Sequence, residues 1–364
     1  MMIITGMQSG GAERVMATLC NELSKRHLVR LLILKEAITD YEISERVEII
    51  AGNISNRNVC KAVIVTCNQI NNWQPDLILS FMTKSNLIAL MAKSLASWKV
   101  PTVIAERANP YNANKIYRFI RKRLYPKADG CVFQTKQAQE YYKDILKCKT
   151  KVIRNPLNPD FQVKTFMGIR TKRIVTVGRL SIEKNQKLLI DAFAQIADKY
   201  PEYKLEIYGE GPLHNELQCR IEELHLKDRA FLMGRKDNVQ QYISDAEIFV
   251  LPSNSEGMPN ALLESMALGL ACIATDCPIG GSAVIIDNEK NGLLVPMNDV
   301  NKMVKSIDRL IVDTDFASQL RIEAVLVQDD FNAENVCRSW EDYLESVAEN
   351  FQVQKEIGVH KWEK

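Results

Sequence analysis

The sequence lacks the features that mark a membrane-spanning or secreted protein. None of its apolar runs reaches the roughly 18 to 20 residues that a helix needs to span a bilayer. The first residues, M-M-I-I-T-G, have no basic region, long apolar core or cleavage site of a secretory signal. We therefore expect a protein that works in the cytoplasm.

Disulfide and metal-binding patterns are also missing. The nine cysteines are scattered, and no two of them form a C-x-x-C pair. This favours buried free thiols in a reducing compartment over a metal site. The four histidines lie far apart in the sequence and lack metal-ligand spacing.

Two further absences narrow the function. A net charge of +2 gives no global field that would attract nucleic acid, so we expect no nucleic-acid partner. No G-x-G-x-x-G opens a strand–helix unit, which argues against a dinucleotide-dependent dehydrogenase. The length of 364 residues predicts two domains.

What the sequence does contain is a regular alternation of short apolar runs and helical patterns. The runs span 3–5, 29–34, 73–81, 100–105 and 130–134 in the first half, and 173–177, 205–208, 230–233, 248–251, 271–275 and 292–295 in the second. Such alternation predicts parallel sheets covered on both faces. A turn-rich connection, 152–159, separates the halves, so we predict two α/β domains with a ligand cleft between them. The last helical pattern spans 335–347, and a polar tail is expected from residue 351.

The most informative stretch is 255–276, in which Glu256 and Glu264 stand eight residues apart. It follows the apolar run 248–251, and Pro259 suits the first turn of a helix over 261–268. Backbone N–H groups at a helix start favour an anion, and nearby carboxylates accept hydrogen bonds from hydroxyls. A sugar nucleotide offers both phosphates and hydroxyls, so the pattern favours such a ligand.

Cationic and glycine residues follow other predicted strands. Arg179 and Lys184 lie five residues apart on the loop after 173–177, where a planar fork and a point charge would together neutralise a diphosphate. In isolation, such a pair is more often a surface charge. Gly10-Gly11 stands between a strand and a helix and serves either as a turn or as a close approach to a ligand. Further loops at strand ends contain Gly209, Gly234 and Arg235.

A basic helix is predicted over 115–124. Between 108 and 127 there are six basic residues and no acidic one, and Ile116, Ile120 and Leu124 repeat every four residues. Such a helix can lie on an anionic lipid surface or receive a diphosphate head group. The alternative is a solvated basic face whose apolar stripe packs on the domain.

Five motifs in order resemble the retaining glycosyltransferases of the GT-B fold in the large family four. They are G-G-A-E-R-V, V-G-R-L-S-I-E-K-N, G-E-G-P-L, E-G-M-P-N-A-L-L-E and N-G-L-L-V-P. The loop A-E-R-A-N-P and the basic helix after it are similar to transferases that add a hexose or N-acetylhexosamine to undecaprenyl-diphosphate-linked saccharides. The resemblance implies two Rossmann-like domains facing a central cleft: an acceptor domain over 1–163 and a nucleotide-sugar domain over 164–334. Residues 335–364 would form a helix crossing back to the first domain, plus a tail.

The resemblance also implies roles for single residues. Arg179 and Lys184 would bind the phosphates and stabilise the leaving nucleoside diphosphate, while Glu256 would contact the transferred sugar and Glu264 the ribose. The remaining donor contacts would be Gly10, Gly11, Gly209, Gly234, Arg235, Gly257, Met258, Pro259 and Asn260. The acceptor or membrane contacts would be Glu106, Arg107, Lys115, Arg118, Arg121 and Lys122. Many relatives have a histidine in the loop of Glu106-Arg107, and the sequence leaves open whether Arg107 replaces it.

The implied reaction is transfer of a sugar from a nucleotide sugar, by family habit UDP-linked, with retention at the anomeric carbon. No metal or cofactor is expected, and the partners would be a lipid-diphosphate-linked acceptor and the inner face of the plasma membrane. Two rival functions remain open. A nucleotide-sugar epimerase of the same fold would turn over donor without acceptor, and a non-catalytic scaffold would bind without turnover.

Overall fold

The chain folds into two compact units in a computed structural model that describes residues 1–8, 10–55 and 58–360, with the side chains of 357–360 left out. The first unit comprises residues 1–156 and the chain from Ala333 onward, and the second comprises residues 157–332. The division therefore falls at Pro156, before the boundary of 163 drawn from the sequence. Leu157 and Phe161 pack in the core of the second unit, and the Leu157 N–H donates to the Phe331 carbonyl.

The first unit is built on a parallel sheet. Its strands in the described ranges are β1 (Met2–Ile4), β2 (Val29–Ile33), β3 (Val47–Ala51), β4 (Ile78–Phe81), β5 (Thr102–Glu106), β6 (Gly130–Phe133) and β7 (Lys149–Val152). They pair in the order β3-β2-β1-β4-β5-β6-β7. The helices are α1 (Gly11–Leu23), α2 (Val59–Trp73), α3 (Thr83–Leu95), α4 (Lys115–Leu124) and α5 (Lys136–Tyr142), with 3-10 turns at Pro110–Asn112 and Tyr125–Lys127.

The predicted parallel sheet is confirmed, with two local corrections. Strand β4 begins at Ile78, and Trp73 instead ends helix α2, because Gln74 takes a left-handed backbone (φ 49°) that closes the helix. The outer strands β3 and β7 were not predicted. The residues of these two strands are half-exposed and partly polar, so the strands lack the apolar run that marks a strand buried on both faces.

The second unit contains another parallel sheet with helices. Its strands in the described chain are β8 (Thr171–Val177), β9 (Lys204–Tyr208), β10 (Ala230–Gly234), β11 (Ala246–Leu251), β12 (Ala271–Asp276) and β13 (Leu293–Pro296), in the order β10-β9-β8-β11-β12-β13. The helices are α6 (Gln186–Ile196), α7 (His214–Glu223), α8 (Gln240–Ile243), α9 (Asn260–Ala267), α10 (Val300–Val312), α11 (Thr314–Val325) and α12 (Val327–Asp330), with 3-10 turns at Pro159–Phe161 and Ser282–Val284.

The chain returns to the first unit in helix α13 (Ala333–His360). The helix continues past residue 351, where a polar tail was expected, while 361–364 lie outside the described residues. Trp340 is fully buried, with its ring centroid 5.5 Å from that of Phe81 in β4. The Tyr343 hydroxyl accepts from the Cys131 N–H at 3.0 Å and donates to the Lys149 carbonyl at 2.6 Å, so α13 bonds to β6 and β7.

The cysteines are free thiols, in line with the sequence. Five of them are buried, but Cys60 and Cys219 are exposed, which corrects the expectation that the thiols are interior. Both lie on helices, where their short side chains face solvent. Within the part of the chain that the structure describes, no helix has both the length and the hydropathy of a membrane span.

Replacement of Trp340 tests the attachment of α13. Trp340→Ala should lower the free energy of unfolding of the first unit by about 3–5 kcal/mol, because the buried indole leaves a cavity. Val353 lies on the same helix but is 53% exposed, so Val353→Ala should change the free energy of unfolding by less than about 0.5 kcal/mol. Urea unfolding of both variants makes the comparison. Equal effects would contradict the packing described.

Candidate functional site

The candidate site of the second unit lies where its sheet reverses strand order. From β8 the chain proceeds outward to β9 and β10, then returns to β11 on the other side of β8. Ligands of open parallel sheets bind beyond the carboxyl ends of the strands at such a switch point. The loop after β8 contains Arg179 and Lys184, and the loop after β11 contains Glu256. The fold thus brings together the residues predicted to bind the donor phosphates and sugar.

Glu256 is held by two donors. Lys184 Nζ lies 2.6 Å from Glu256 Oε1, and the Ser253 hydroxyl donates to the same oxygen at 2.7 Å. The Thr275 hydroxyl in turn donates to the Ser253 carbonyl. Glu256 is 9% exposed, so its carboxylate is oriented and partly withdrawn from water. The sequence suggested separate roles for Lys184 and Glu256, whereas the structure pairs them directly.

Arg179 is exposed at the start of the same loop. Its carbonyl accepts from Gln186 Nε2 at 2.9 Å, which ties the loop to the start of α6. Asn185 precedes that helix in a left-handed conformation (φ 48°) and donates to Asn254 Oδ1 at 3.1 Å. The backbone and side-chain contacts therefore hold the loop, while the Arg179 guanidinium faces solvent.

Glycines allow these loops to touch through their backbones. A Cβ on Gly209, whose φ is +137°, would lie 2.1 Å from the Gly178 carbonyl oxygen. A Cβ on Gly281 would lie 2.3 Å from the carbonyl oxygen of Gly257. A side chain at either position would push apart the strand-end loops that surround Glu256.

Helix α9 begins beside this site, close to the predicted position. Pro259 is its N-cap residue, and the proline side chain makes no capping hydrogen bond. Glu264 lies in the second turn and is 4% exposed, whereas the Met258 side chain belongs to the hydrophobic core. Asn260 is the first residue of this helix. Gly234 and Arg235 lie at the carboxyl end of β10, which is separated from β8 by strand β9.

In the first unit, Gly10 is the N-cap residue of α1. Its N–H donates to the Tyr41 hydroxyl and its carbonyl accepts from that hydroxyl, both at 2.8 Å. A Cβ on Gly10 would lie 2.1 Å from a carboxylate oxygen of Glu13, which folds back over the helix start ahead of Gly11. Burial raises the pKa of Glu13, although its own backbone N–H and Arg107 oppose the shift. A carboxylate thus already lies where a donor phosphate was expected.

Glu106 ends strand β5 inside a buried polar network. It accepts hydrogen bonds from the hydroxyls of Thr83 and Tyr125 and, at 3.2 Å, from Asn86 Nδ2. Arg121 Nη2 lies 3.7 Å away. Burial raises the pKa of Glu106, while Arg121 and these hydrogen bonds oppose the rise. At 3% exposure, Glu106 holds Arg121 and α4 in place and does not face solvent.

Arg107 is anchored beside this network. Its guanidinium stacks 4.6 Å from the Phe81 ring centroid and donates to Asn155 Oδ1. Burial lowers the pKa of Arg107, and the nearby Glu13 carboxylate opposes the shift. The side chain of Arg107 is therefore fixed by protein groups.

Helix α4 exposes part of its apolar surface and buries an arginine. Ile116 is 70% exposed and Phe119 is 61% exposed, whereas Arg121 is the one buried residue of the helix. Of the predicted apolar stripe, Ile116 is exposed whereas Ile120 and Leu124 are half-buried, so the stripe packs on the domain only toward the C-terminal end of the helix. Lys115 and Lys122 are exposed, and Arg118 instead donates to the backbone carbonyls of the preceding turn.

The structure also shows functional candidates that the sequence analysis missed. Ser253, which orients Glu256, is one of them. A cavity of 1030 Å³ in the first unit is lined by Thr5, Glu13, Lys35, Thr83, Lys84 and Arg121, among others. Lys35 and Lys84 follow β2 and β4 within three residues, so their position at strand ends was a usable signal.

One cluster in the described residues has atoms close enough to hold a metal ion: His27, Glu341 and Glu345. The sequence shows no metal-ligand spacing around His27, because the two carboxylates come from helix α13, far along the chain from this histidine. Arg26 already forms a bidentate pair with Glu341, at 2.8 and 2.5 Å, and His27 Nε2 lies 2.7 Å from Glu341 Oε1. The cluster is best explained as an ion-pair contact between α13 and the end of α1.

Comparison with known families matches both units. Residues 9–161 match the model described as Glycosyltransferase Family 4, and residues 164–325 match the model described as Glycosyl transferases group 1. In Campylobacter jejuni, an N-acetylgalactosamine-N,N'-diacetylbacillosaminyl-diphospho-undecaprenol 4-alpha-N-acetylgalactosaminyltransferase is 30% identical over 94% of this chain and 98% of its own length. A GalNAc-alpha-(1->4)-GalNAc-alpha-(1->3)-diNAcBac-PP-undecaprenol alpha-1,4-N-acetyl-D-galactosaminyltransferase of the same organism is 28% identical over 93% of this chain and 96% of its own length.

Solved structures show the same fold. Sucrose-phosphate synthase of Thermosynechococcus elongatus superposes with a TM-score of 0.83 at 20% identity, covering 95% of this chain and 98% of the other. HepE of Anabaena, solved with UDP and glucose, has a TM-score of 0.78 at 18% identity with the same coverage. The expected GT-B fold and the expected glycosyltransferase class are both confirmed.

Two equally buried serines test how Glu256 is held. Ser253→Ala should lower the free energy of unfolding of the second unit by about 1.5–3 kcal/mol, since its hydroxyl bonds to a carboxylate. Ser265 is also fully buried, but its hydroxyl has no hydrogen-bond partner in the described part of the chain, so Ser265→Ala should be nearly neutral. Urea unfolding distinguishes them, and equal losses would argue against the bond to Glu256.

Proposed function

Because the chain belongs to the family 4, group 1 glycosyltransferases, we propose that it moves a hexose or N-acetylhexosamine from a UDP-sugar to a lipid-linked saccharide, with retention at the anomeric carbon. The pairing of Lys184 with Glu256 at the strand-order switch, beside the start of α9, carries the proposal. Cations, helix N–H groups and carboxylates gathered at one edge match a ligand that has both phosphates and hydroxyls.

The known relatives support the donor and the acceptor. The two Campylobacter transferases are named for undecaprenol acceptors that bear a diphosphate or PP linkage, and they match nearly the whole chain. HepE was solved with UDP and glucose, which favours UDP as the nucleotide. The two transferases support the proposed acceptor class, and HepE supports the proposed nucleotide.

In the proposed reaction, negative charge develops on the β-phosphate as the sugar leaves. Arg179, Lys184 and the N–H groups at the start of α9 stabilise that charge. Sugar hydroxyls bond to Glu256, which releases Lys184 from its ion pair toward the phosphate, and Glu264 accepts from the ribose hydroxyls. The protein's own cations neutralise the diphosphate, so we expect no requirement for a metal.

Retention follows from attack on the face that the leaving group vacates. The acceptor oxygen bonds to the anomeric carbon while the bond from that carbon to the phosphate oxygen breaks. The acceptor proton passes to the departing β-phosphate. This path needs no carboxylate nucleophile on the opposite face of the sugar, as a double displacement would.

The outer face of α4 supports a peripheral location at the inner face of the plasma membrane. Ile116 and Phe119 are exposed next to Lys115 and Lys122. Apolar side chains that enter the head-group region and lysines that meet anionic lipid act together in such helices, each cation contributing about 1 kcal/mol. We propose that α4 holds the enzyme on the surface that contains its lipid-linked acceptor.

Substitutions in the second unit test the donor site. Arg179→Ala, Lys184→Ala and Glu256→Ala should each lower kcat by about 100-fold or more, because each removes stabilisation of the developing charge or of the sugar. Glu264→Ala should instead weaken donor affinity by about tenfold through loss of the ribose contact. The assay is transfer from radiolabelled UDP-sugars to lipid-linked acceptors, with and without EDTA, and exposed Lys305→Ala is the control.

Full activity in Arg179→Ala, Lys184→Ala and Glu256→Ala would contradict the assignment of the donor site. Donor turnover without any acceptor would favour an epimerase, and binding without turnover a scaffold. Unchanged donor affinity in Glu264→Ala would exclude its ribose contact. Loss of activity with EDTA would overturn the metal-independent mechanism.

Vesicle binding tests the role of α4. Phe119→Asp should weaken binding to vesicles that contain phosphatidylglycerol by about tenfold or more, since an apolar anchor is lost and a like charge added. Ile322→Asp, at a site 69% exposed on α11, should bind like the parent protein. Co-sedimentation over a range of lipid concentrations measures both, and equal binding by the two variants would contradict the proposed surface.

A further inference from the structure

The cavity of the first unit lies at the carboxyl ends of three adjacent strands. Strands β2, β1 and β4 are neighbours in the sheet, and the segments that follow them contribute Lys35, Thr5 and, from the first turn of α3, Lys84 to the cavity wall. The Thr5 hydroxyl lies 2.8 Å from that of Ser85, so the loop after β1 is bonded to the first turn of α3. The cavity is open to solvent and has a volume of about 1030 Å³, which is large enough for a sugar and a phosphate group.

Arg121 reaches this cavity from α4 with part of its guanidinium unpaired. The residue is 4% exposed, and its Nη2 donates to Thr83 and faces Glu106. Its Nε and Nη1 are buried and have no hydrogen-bond partner among the described residues. Arg121 lines the cavity, and buried polar groups are almost always bonded, so these two donors point to an acceptor that is missing from the described residues.

The start of α3 adds further donors to the same wall. Thr83 and Lys84 are its first two residues, and the side chain of the N-cap residue, Met82, makes no capping hydrogen bond. Met82 precedes it with φ 74°, a left-handed backbone that is rare and strained for a side chain of this kind. A helix start favours an anion, and strain of this type is often found at ligand sites.

Two lysines face the cavity close to one another. Lys35 and Lys84 are both partly buried. Burial lowers the pKa of Lys84, and the charge of Lys35 lowers it further. An oxyanion between the two ammonium groups would relieve their repulsion and replace lost solvation.

Carboxylates also line the cavity wall, and they restrict the class of ligand that can bind there. Glu13 and Glu36 line the cavity together with the three cations Lys35, Lys84 and Arg121. Carboxylates would repel a bare anion but accept hydrogen bonds from hydroxyls. The mixture suits a molecule with an anionic group at one end and sugar hydroxyls at the other.

We propose that this cavity is an oxyanion subsite for the acceptor, in which Lys35, Lys84, Arg121 and the start of α3 bind a phosphate, diphosphate or carboxylate group and Glu13 accepts from neighbouring hydroxyls. The assignment to the acceptor rests on the proposed glycosyltransferase function. It gives α4 two separate surfaces: exposed Ile116 and Phe119 for lipid, and inward Arg121 for the anion.

Direct binding tests the subsite without turnover. Inorganic diphosphate is titrated into the full chain, saturated with UDP, by isothermal calorimetry. Lys35→Gln and Lys84→Gln should each weaken binding by about tenfold, as expected for loss of a charge-assisted contact. Lys61→Gln is the control, since Lys61 is exposed on α2 and does not line the cavity. Equal affinities in all four proteins would overturn the proposal.

Transfer assays identify the source of the anion. The same saccharide is offered as a polyprenyl diphosphate, as a neutral alkyl glycoside and as an alkyl glycoside with a uronate carboxylate. Lys84→Gln should raise KM by about tenfold for the anionic acceptors that the wild type prefers, with kcat and donor KM unchanged. Selective loss for the diphosphate identifies the lipid linkage as the ligand, and selective loss for the uronate identifies the sugar.

A rise in KM that is equal for the neutral glycoside would overturn the subsite. Failure of the anion subsite can be distinguished from failure of the proposed transferase function. Weakened diphosphate binding in the lysine variants with no sugar transfer by the wild type would leave the anion site standing and refute the transferase assignment.

Discussion

All carboxyl ends of a parallel sheet meet at one edge, and every functional candidate in both units depends on this constraint. In the second unit the strand order reverses between β8 and β11, so the loops that leave these strands diverge and leave room between them. Lys184 comes from one loop and Glu256 from the other, and their 2.6 Å contact joins them. Gly209 and Gly281 let the surrounding loops approach closely enough for that contact.

Buried charge is used differently in the two units. Glu106 and Arg121 are almost fully enclosed, and the network around them satisfies the carboxylate, whereas two donors of the guanidinium have no hydrogen-bond partner in the described part of the chain. Glu256 and Lys184 remain partly open, so their pairing can be exchanged for contacts with a ligand. The first arrangement anchors α4 and presents a cation to a cavity. The second holds a carboxylate ready in one orientation.

Helix α4 shows how packing overrides a local pattern. Its isoleucines and leucine repeat at helical spacing, which normally marks a buried face, yet Ile116 is exposed, Ile120 and Leu124 are only half-buried, and the buried residue of the helix is Arg121. The buried acceptor Glu106 lies on another strand, and only the fold brings it beneath the helix. A basic surface with exposed aromatic and aliphatic side chains is the result, and it is suited to contact with lipid.

The sequence alone determined the two parallel sheets, the helix start near Pro259 and the candidate roles of Glu256, Arg179 and Lys184, because strand runs, capping residues and ordered motifs are local signals. Edge strands β3 and β7, which are half-exposed and partly polar, gave no such signal. Only the tertiary structure decided that Ser253 and Lys184 share one carboxylate oxygen, that Glu13 covers the start of α1, and that Lys35, Lys84 and Arg121 meet at one cavity. These contacts join residues far apart in the chain, and their geometry is set by how strands order and helices pack, which no local pattern encodes.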